Sequence, residues 1–560
     1  MRMAPRTVRN YLPTLLILLA SSLVACGHHE PPPSAARRED FGDLIVLHLY
    51  GSYYDMGRQQ VELLGAVARQ VYDYHRERYR TMIRWGDFGL RLTDWGASLL
   101  PMAGPLYEDS GFFDEANGMA DALDVSRGDL FRAITAASFG STVFAATRSA
   151  TADGRALIGR NVDWGDANGI LRPVVMHYHP NNGDLDYIMA GWPLIGAPAV
   201  GINSAGFALS FNFFVTEEIF GIPPEMRDRR ALQTARTVEE GLQVFTSVRK
   251  RGMPTFMVMA DAAGDIAMIE CTPSACAIFR PEGDWFAQAN SARTAEMIPL
   301  DRYRSPDSFA RRAAMEAAVR PHVGRLTPTL AAEIIRDRSN SRWVNDPTVA
   351  NLYVLNAAVI HPATKTLWHA TSMQPEAPFG ELVPFSAAPD LPPAAPIARD
   401  PRFGTPEIQR EIAVVEEARW AVRRYADGDF SSAGAVWDNF AARGEPLLHP
   451  DRLAYVRGVV RWKEGKLDAA DRLFATLDTN RAPFEVRASG AVGRAVIADQ
   501  QGRRDDAIVW YRVAQSYLDG SPQYTDDYTQ TLRRIAAAGL QEPQTADALA
   551  DAPDLQYVPQ

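Results

Sequence analysis

The chain has 560 residues, 46% of them hydrophobic and 22% charged, with a net charge of -10 carried without long like-charged runs. This is an ordinary globular composition, long enough for two or three cores. It excludes a nucleic-acid binder, which needs Lys and Arg clustered against phosphates.

Residues 1–26 read as an address rather than as structure. Arg2, Arg6 and Arg9 precede an apolar run from Leu12 to Ala20, too short for a comfortable membrane span, and Leu23-Val24-Ala25-Cys26 ends it with small residues before a cysteine. The pattern resembles a bacterial lipoprotein lipobox, which implies that Cys26 is the lipidated first residue of the mature protein. Gly27 behind it, rather than Asp, implies anchoring in the outer membrane facing the periplasm, and more than one acyl chain makes such attachment firm. The polar, Pro-rich stretch 27–41 reads as a tether.

A domain is expected over 42–387. It opens with an apolar strand at Leu44–Tyr50 and a helix from about Asp55 that keeps Met56, Val61, Leu64, Val67 and Val71 on one face. Further helical pattern covers Phe113 to Leu123 and, capped by Ser126, Leu130 to Ala136. From Ser141 the rhythm changes to strands, parted by turns at Ala152-Asp153-Gly154, Pro180–Gly183, Asn203–Gly206, Asp261–Gly264 and Pro281–Gly283. One helix interrupts over 231–248; helices over 308–319 and 327–336 precede a last strand pair at 352–360 and 366–370. Such segregated runs imply an α+β domain with stacked antiparallel sheets inside helices. Cys271 and Cys276 flank a tight hairpin, and in an exported protein they are either a disulfide or two unpaired thiols.

A second Pro-rich linker is expected over 388–404, then helices over 405–540 and a flexible tail over 541–560. Gly428, Gly465 and Gly502 recur every 37 residues, each followed by an alanine (Ala433, Ala470, Ala507) and an aromatic (Trp437, Phe474, Tyr511). Glycine suits the turn of a helical hairpin, alanine lets its two helices approach, and the aromatic fills the groove to the next hairpin. The pattern resembles tetratricopeptide repeats, slightly longer than their usual period of about 34.

Several catalytic signatures are absent: His-Glu-x-x-His, Gly-x-Ser-x-Gly, a phosphate-cradling loop and spaced cysteines. His177 and His179 share one strand face, but two histidines with no carboxylate partner read as ordinary strand residues, so neither metal nor cofactor is expected. Attention falls instead on Gly140-Ser141 at the head of a strand whose hairpin returns to Arg160-Asn161-Val162-Asp163. A serine works without histidine when a free amine is its base, as at a chain terminus. An α-amine titrates at about 7.7–8.0, so near neutrality a useful fraction can accept the hydroxyl proton. Cleavage between Gly140 and Ser141 would create that group, and glycine can enter the strained backbone such self-attack requires.

Four segments carry a wider resemblance: Gly51–Gly57, Gly118–Val125, Ser149–Gly154 with Gly159–Trp164, and Gly191–Gly196 with Gly201–Asn212. Residues 44 to about 387 thereby resemble the acyl-coenzyme A:6-aminopenicillanic acid acyltransferase family, relatives of choloylglycine hydrolase among the N-terminal nucleophile hydrolases. The resemblance implies a four-layer αββα sandwich, here followed by the all-α repeat domain. It places the nucleophile on Ser141, where the family carries Cys, and the Arg-Asn-x-Asp motif on Arg160 and Asp163. By the same resemblance Asn212 offers a backbone N–H and Asn290 a side-chain amide to an oxyanion. A final arginine falls on Arg311, with Arg304 and Arg312 as alternatives. The implied substrate is a small linear N-acyl amide. The competing reading is an inert hydrolase fold whose helical repeats bind an envelope protein. Trp95, Phe112, Phe113, Phe213, Phe214 and Trp285 are candidates for either a pocket or the core.

Overall fold

The computed structural model describes residues 36–545 apart from 83–110, 136–139, 165–168, 197, 218–223, 248–253, 303, 345, 389–390, 392–393 and 478–481. The expected leader with Cys26, most of the expected tether, Trp95 and most of the expected tail lie outside the described residues.

Two sheets face each other. The first runs β1 (Arg37–Phe41), β2 (Leu44–Gly51), β5 (Val174–Pro180), β6 (Tyr187–Gly191), β7 (Val200–Asn203), β8 (Ala208–Phe213), β9 (Thr255–Ala260), β10 (Ile266–Cys271), β11 (Cys276–Phe279). The second runs β12 (Trp285–Gln288), β3 (Gly140–Ala146), β4 (Leu157–Asp163), β13 (Val354–His361), β14 (Thr366–Ala370), β15 (Leu382–Ser386). Among these pairings only β2 with β5 is parallel.

Strand alternation sorts the side chains into layers. In β2, Ile45, Leu47 and Leu49 join the core under the helices, whereas Leu44 and Val46 join the core between the sheets. In β3, Val143 and Ala145 face the first sheet while Phe144 and Ala146 face outward. The first sheet's outer face is covered by α1 (Tyr53–Leu64), α2 (Ala66–Met82), α3 (Phe112–Leu123), α4 (Arg127–Thr135), α5 (Pro224–Thr234) and α6 (Val238–Ser247). The second sheet is covered by α7 (Pro306–Val319) and α8 (Pro328–Ile335). The layers are thus helix, sheet, sheet, helix. Start signals are local: Ser52 and Asp55 form a reciprocal capping box on α1.

Three details differ from the sequence reading. Arg37–Phe41, read as tether, is an edge strand in register with Leu44–His48. The helix expected over 231–248 is two, because Thr237 caps Glu240 N–H and Asp261 accepts Val238 N–H, starting a new helix there. A further strand, β15, lies beyond the expected last pair. Cys271 and Cys276 face each other across β10 and β11 as a disulfide.

The C-terminal region is helical: α9 (Pro406–Ala426), α10 (Phe430–Ala442), α11 (Pro450–Lys463), α12 (Leu467–Ala475), α13 (Phe484–Gln500), α14 (Arg504–Asp519) and α15 (Asp527–Gln541). Gly428, Gly465 and Gly502 part three helix pairs with φ of 80°, 76° and 71°, a left-handed turn that would cost an L side chain roughly 1–2 kcal/mol. Ala433, Ala470 and Ala507 are wholly buried, as are Trp437, Phe474 and Tyr511 nearly so. The stretch 388–404 is partly tied down, with Ile397 bridging Leu382 and Asp400 N–H donating to Phe379 O. Val344, Leu352 and Phe379 of the sandwich share a core with Ile408 and Trp437.

Candidate active site

β3 and β4 pair with Gly140 opposite Asp163 and Ser141 opposite Val162, so the head of one strand meets the end of the other. Ser141 and Arg160 share the parity of Val143 and Ile158 and point between the sheets. Asp163 and Asn161 have the opposite parity and point toward the helices over the second sheet, where Asn161 donates to Ile335 O and Val349 O.

Ser141 is wholly buried. Arg160 Nη2 donates to its Oγ at 2.9 Å, and Arg160 Nη1 to Ser210 Oγ of β8 at 3.2 Å, so one guanidinium spans the two sheets. Burial lowers the Arg160 guanidinium to about 9, against the pull of Asp163; it stays charged at neutral pH. The N–H of Ser141, which belongs to the Gly140–Ser141 peptide bond, donates to Asn290 Oδ1 at 2.8 Å.

Arg311, on α7, gathers the rest. Its Nη1 donates to Ser141 O at 2.8 Å, Thr142 Oγ1 at 3.2 Å and Asp163 Oδ2 at 3.5 Å, its Nη2 to Asn290 Oδ1 at 2.9 Å, and its Nε to Asp307 at 2.8 Å. The alternatives lie elsewhere: Arg304 donates to Ala292 O and Gln523 O, and Arg312 pairs with Glu316. Asp163 also accepts from Asn351 Nδ2 at 3.0 Å. Burial pushes its carboxyl up, opposed by Arg311 and the Asn351 amide.

Two placements refine the sequence reading. Asn290 donates from Nδ2 to Phe213 O at 2.8 Å and accepts the Ser141 N–H on its oxygen, so it holds the nitrogen of the Gly140–Ser141 peptide bond. An amide nitrogen carries two hydrogens, so Nδ2 can serve an oxyanion while still held by Phe213 O. Asn212 is buried and its side chain donates to Ala289 O at 3.0 Å, fixing the turn that carries Asn290. Gly140 does not adopt left-handed φ; what it needs is room, since a Cβ there would lie 3.3 Å from Asp163 Cβ.

Ser141, Arg160, Asp163, Asn290 and Arg311 are therefore in direct contact, with Asn212 one residue behind. Ser210, which lies in the Gly201–Asn212 segment without being singled out there, joins Thr142, Asp307 and Asn351 to complete the cluster. Of the aromatic candidates, Phe112 and Phe113 belong to the core under the helices, Phe214 stacks on Phe256 at 4.2 Å, and Trp285 packs under the other helix layer.

No curated protein matches the chain. Solved structures similar to it include the N-acylethanolamine-hydrolyzing acid amidase ortholog of Caenorhabditis elegans, 16% identical over 40% of this chain and 93% of that one, with a TM-score of 0.31. Two variants of the conjugated bile acid hydrolase from Clostridium perfringens are each 12% identical, over 41% of this chain and 88% of theirs, with TM-scores of 0.30 and 0.28. The segment 150–372, which begins past Ser141 and holds Arg160, Asp163, Asn212, Asn290 and Arg311, is similar to the acyl-coenzyme A:6-aminopenicillanic acid acyl-transferase family, whose model it matches.

Proposed function

We propose that the protein is an amide hydrolase or acyltransferase for linear N-acyl amides, working through Ser141 after it has freed itself as a chain terminus. The observation that carries this reading is the hold on Ser141: its Oγ on Arg160, its N–H, part of the Gly140–Ser141 peptide bond, on Asn290, and its carbonyl on Arg311. Ser141 Oγ attacks the Gly140 carbonyl carbon, the C–N bond breaks as the proton passes to the departing nitrogen, and water hydrolyses the ester. Gly140 is left as a carboxylate and Ser141 with an α-amine facing Asn290 and Asp163.

In turnover that amine takes the hydroxyl proton through a water while Oγ attacks the substrate amide. The charged Arg160 stabilises the oxygen as it loses its proton. Donors aimed at an oxyanion are worth about 3–4 kcal/mol each, the role proposed for Asn290 and the Asn212 backbone. The departing amine collects the proton, and water or a second amine resolves the acyl-Ser141 ester. In the same reading Cys26 anchors the protein in the outer membrane facing the periplasm, and the C-terminal hairpins are tetratricopeptide-like modules that receive a protein partner.

An inert hydrolase fold serving only as a binding lipoprotein is the second reading, favoured by the complete burial of Ser141. N-terminal sequencing and intact mass of the protein from its native envelope separate the two. The enzyme is expected as two chains, one beginning at acylated Cys26 and one at Ser141, with Ser141→Ala giving a single chain that hydrolyses no N-acyl amide. Recovery of uncleaved wild-type protein alone would remove the mechanism.

A further inference from the structure

On the inner face of the first sheet, away from Ser141, three histidines meet. Parallel pairing sets His48 of β2 beside His177 of β5, and His179 follows two residues on, on the same face. Strand geometry spaces such a triangle at about 4.8 Å across strands and about 6.6 Å along one, the size a three-histidine metal site uses. The ligating nitrogens of all three lie within 4.8 Å of one another. Strands β6 and β7 separate this cluster from Ser210, the nearest strand of that sheet to touch the Ser141 site.

We propose that His48, His177 and His179 bind one divalent transition metal, best suited to Zn2+, with Glu39 of the edge strand as fourth ligand. The neighbours are those such a site needs. Asp186 Oδ2 lies 2.8 Å from His179 Nδ1, which holds the ring with Nε2 free to ligate, the carboxylate–histidine arrangement typical behind metal ligands. Glu39 Oε1 lies 3.3 Å from His48 Nε2. His177 Nε2 is buried with no hydrogen-bond partner among the described residues, a cost that ligation would remove.

Two features must yield. Arg37 Nη2 donates to His48 Nε2 at 3.2 Å, and its half-exposed side chain swings away as the ion enters. The rings of His48 and His177 stack 4.5 Å apart at 19° and tilt until their lone pairs converge. Four protein ligands make a closed, structural site. It would clasp β1 to β2 and β5.

The test uses the untagged full-length protein, stripped by chelation and titrated with ZnCl2 by calorimetry and with Co2+ by visible absorption. One Zn2+ per chain is expected, with the intense visible bands of four-coordinate Co2+. His179→Gln and the half-buried Glu39→Gln are expected to weaken binding by about 100-fold and about 10-fold respectively. Circular dichroism establishes that each variant folds. The proposal is overturned if folded wild type takes up no stoichiometric Zn2+, or if His179→Gln binds as wild type does, as it would were the ion held at His28 and His29. Cleavage at Ser141 is a separate readout and is expected to be unchanged in both variants.

Discussion

Gly140 faces Asp163 closely across the hairpin, where a Cβ would lie 3.3 Å from Asp163 Cβ and 3.4 Å from its Oδ2. Gly140→Val would displace the carboxylate from Asn351 and Arg311 while the strand pairing persists. Its self-cleavage rate, followed as two chains on a denaturing gel, is expected to fall at least about tenfold, on the order of 1.4 kcal/mol in barrier. Cleavage at the wild-type rate in a folded Gly140→Val protein would mean that Asp163 has no part in the step. Ser141, Arg160 and Asp163 were legible in the sequence because a hairpin brings them together locally. Arg311 was one of three arginines close in sequence, and helix geometry separates them: of the three, Arg311 is the one that reaches Ser141 O.

At the scale of elements, the 37-residue recurrence foretold where the helical hairpins turn, because a left-handed glycine is a local requirement. Packing explains the aromatics that follow. Phe474 of α12 lies where a Cβ on Gly458 of α11 would come within 2.5 Å and one on Gly493 of α13 within 2.7 Å, so two helices are dimpled to take one ring. Phe474→Ala leaves that socket empty and is expected to cost about 3–5 kcal/mol, read as a lower denaturation midpoint of the helical region. An unchanged midpoint would mean that the neighbouring helices collapse into the space. The histidine cluster escaped the sequence reading for the opposite reason. His177 and His179 are two residues apart, but His48 stands 129 positions before His177 and joins them only through the parallel pairing of β2 with β5.

For the molecule as a whole, contacts run from the helical region back to the site. Arg304 donates to Gln523 O, Thr525 to Asp301 O, and Phe309 meets Tyr524 edge-on at 5.8 Å, all beside the α7 helix that carries Arg311. The sandwich also carries a titratable group between its sheets. His369 of β14 is fully buried, and burial lowers it to about 4 from an ordinary value of 6.5. Its folded form binds the proton less readily than its unfolded form, so the stability it contributes is complete above pH 6.5 and is lost as pH falls to about 4. The loss is on the order of 3 kcal/mol at 1.36 kcal/mol per pH unit. Urea unfolding of His369→Leu is expected to fall less steeply with acid than wild type over that window. Parallel curves would place the acid sensitivity on other groups.

By itself the sequence determined what is local: the strand and helix periods, the turn glycines, the hairpin that carries Ser141, Arg160 and Asp163, and the leader-like run before Cys26. These follow from side-chain spacing along one chain, which backbone geometry fixes without reference to distant residues. Tertiary structure decided the rest. The hold of Asn290 and Arg311 on Ser141, the reach of Arg160 to Ser210 and the meeting of three histidines all join segments tens to hundreds of residues apart. Only the order of strands in two packed sheets selects which of many equally plausible polar residues those are.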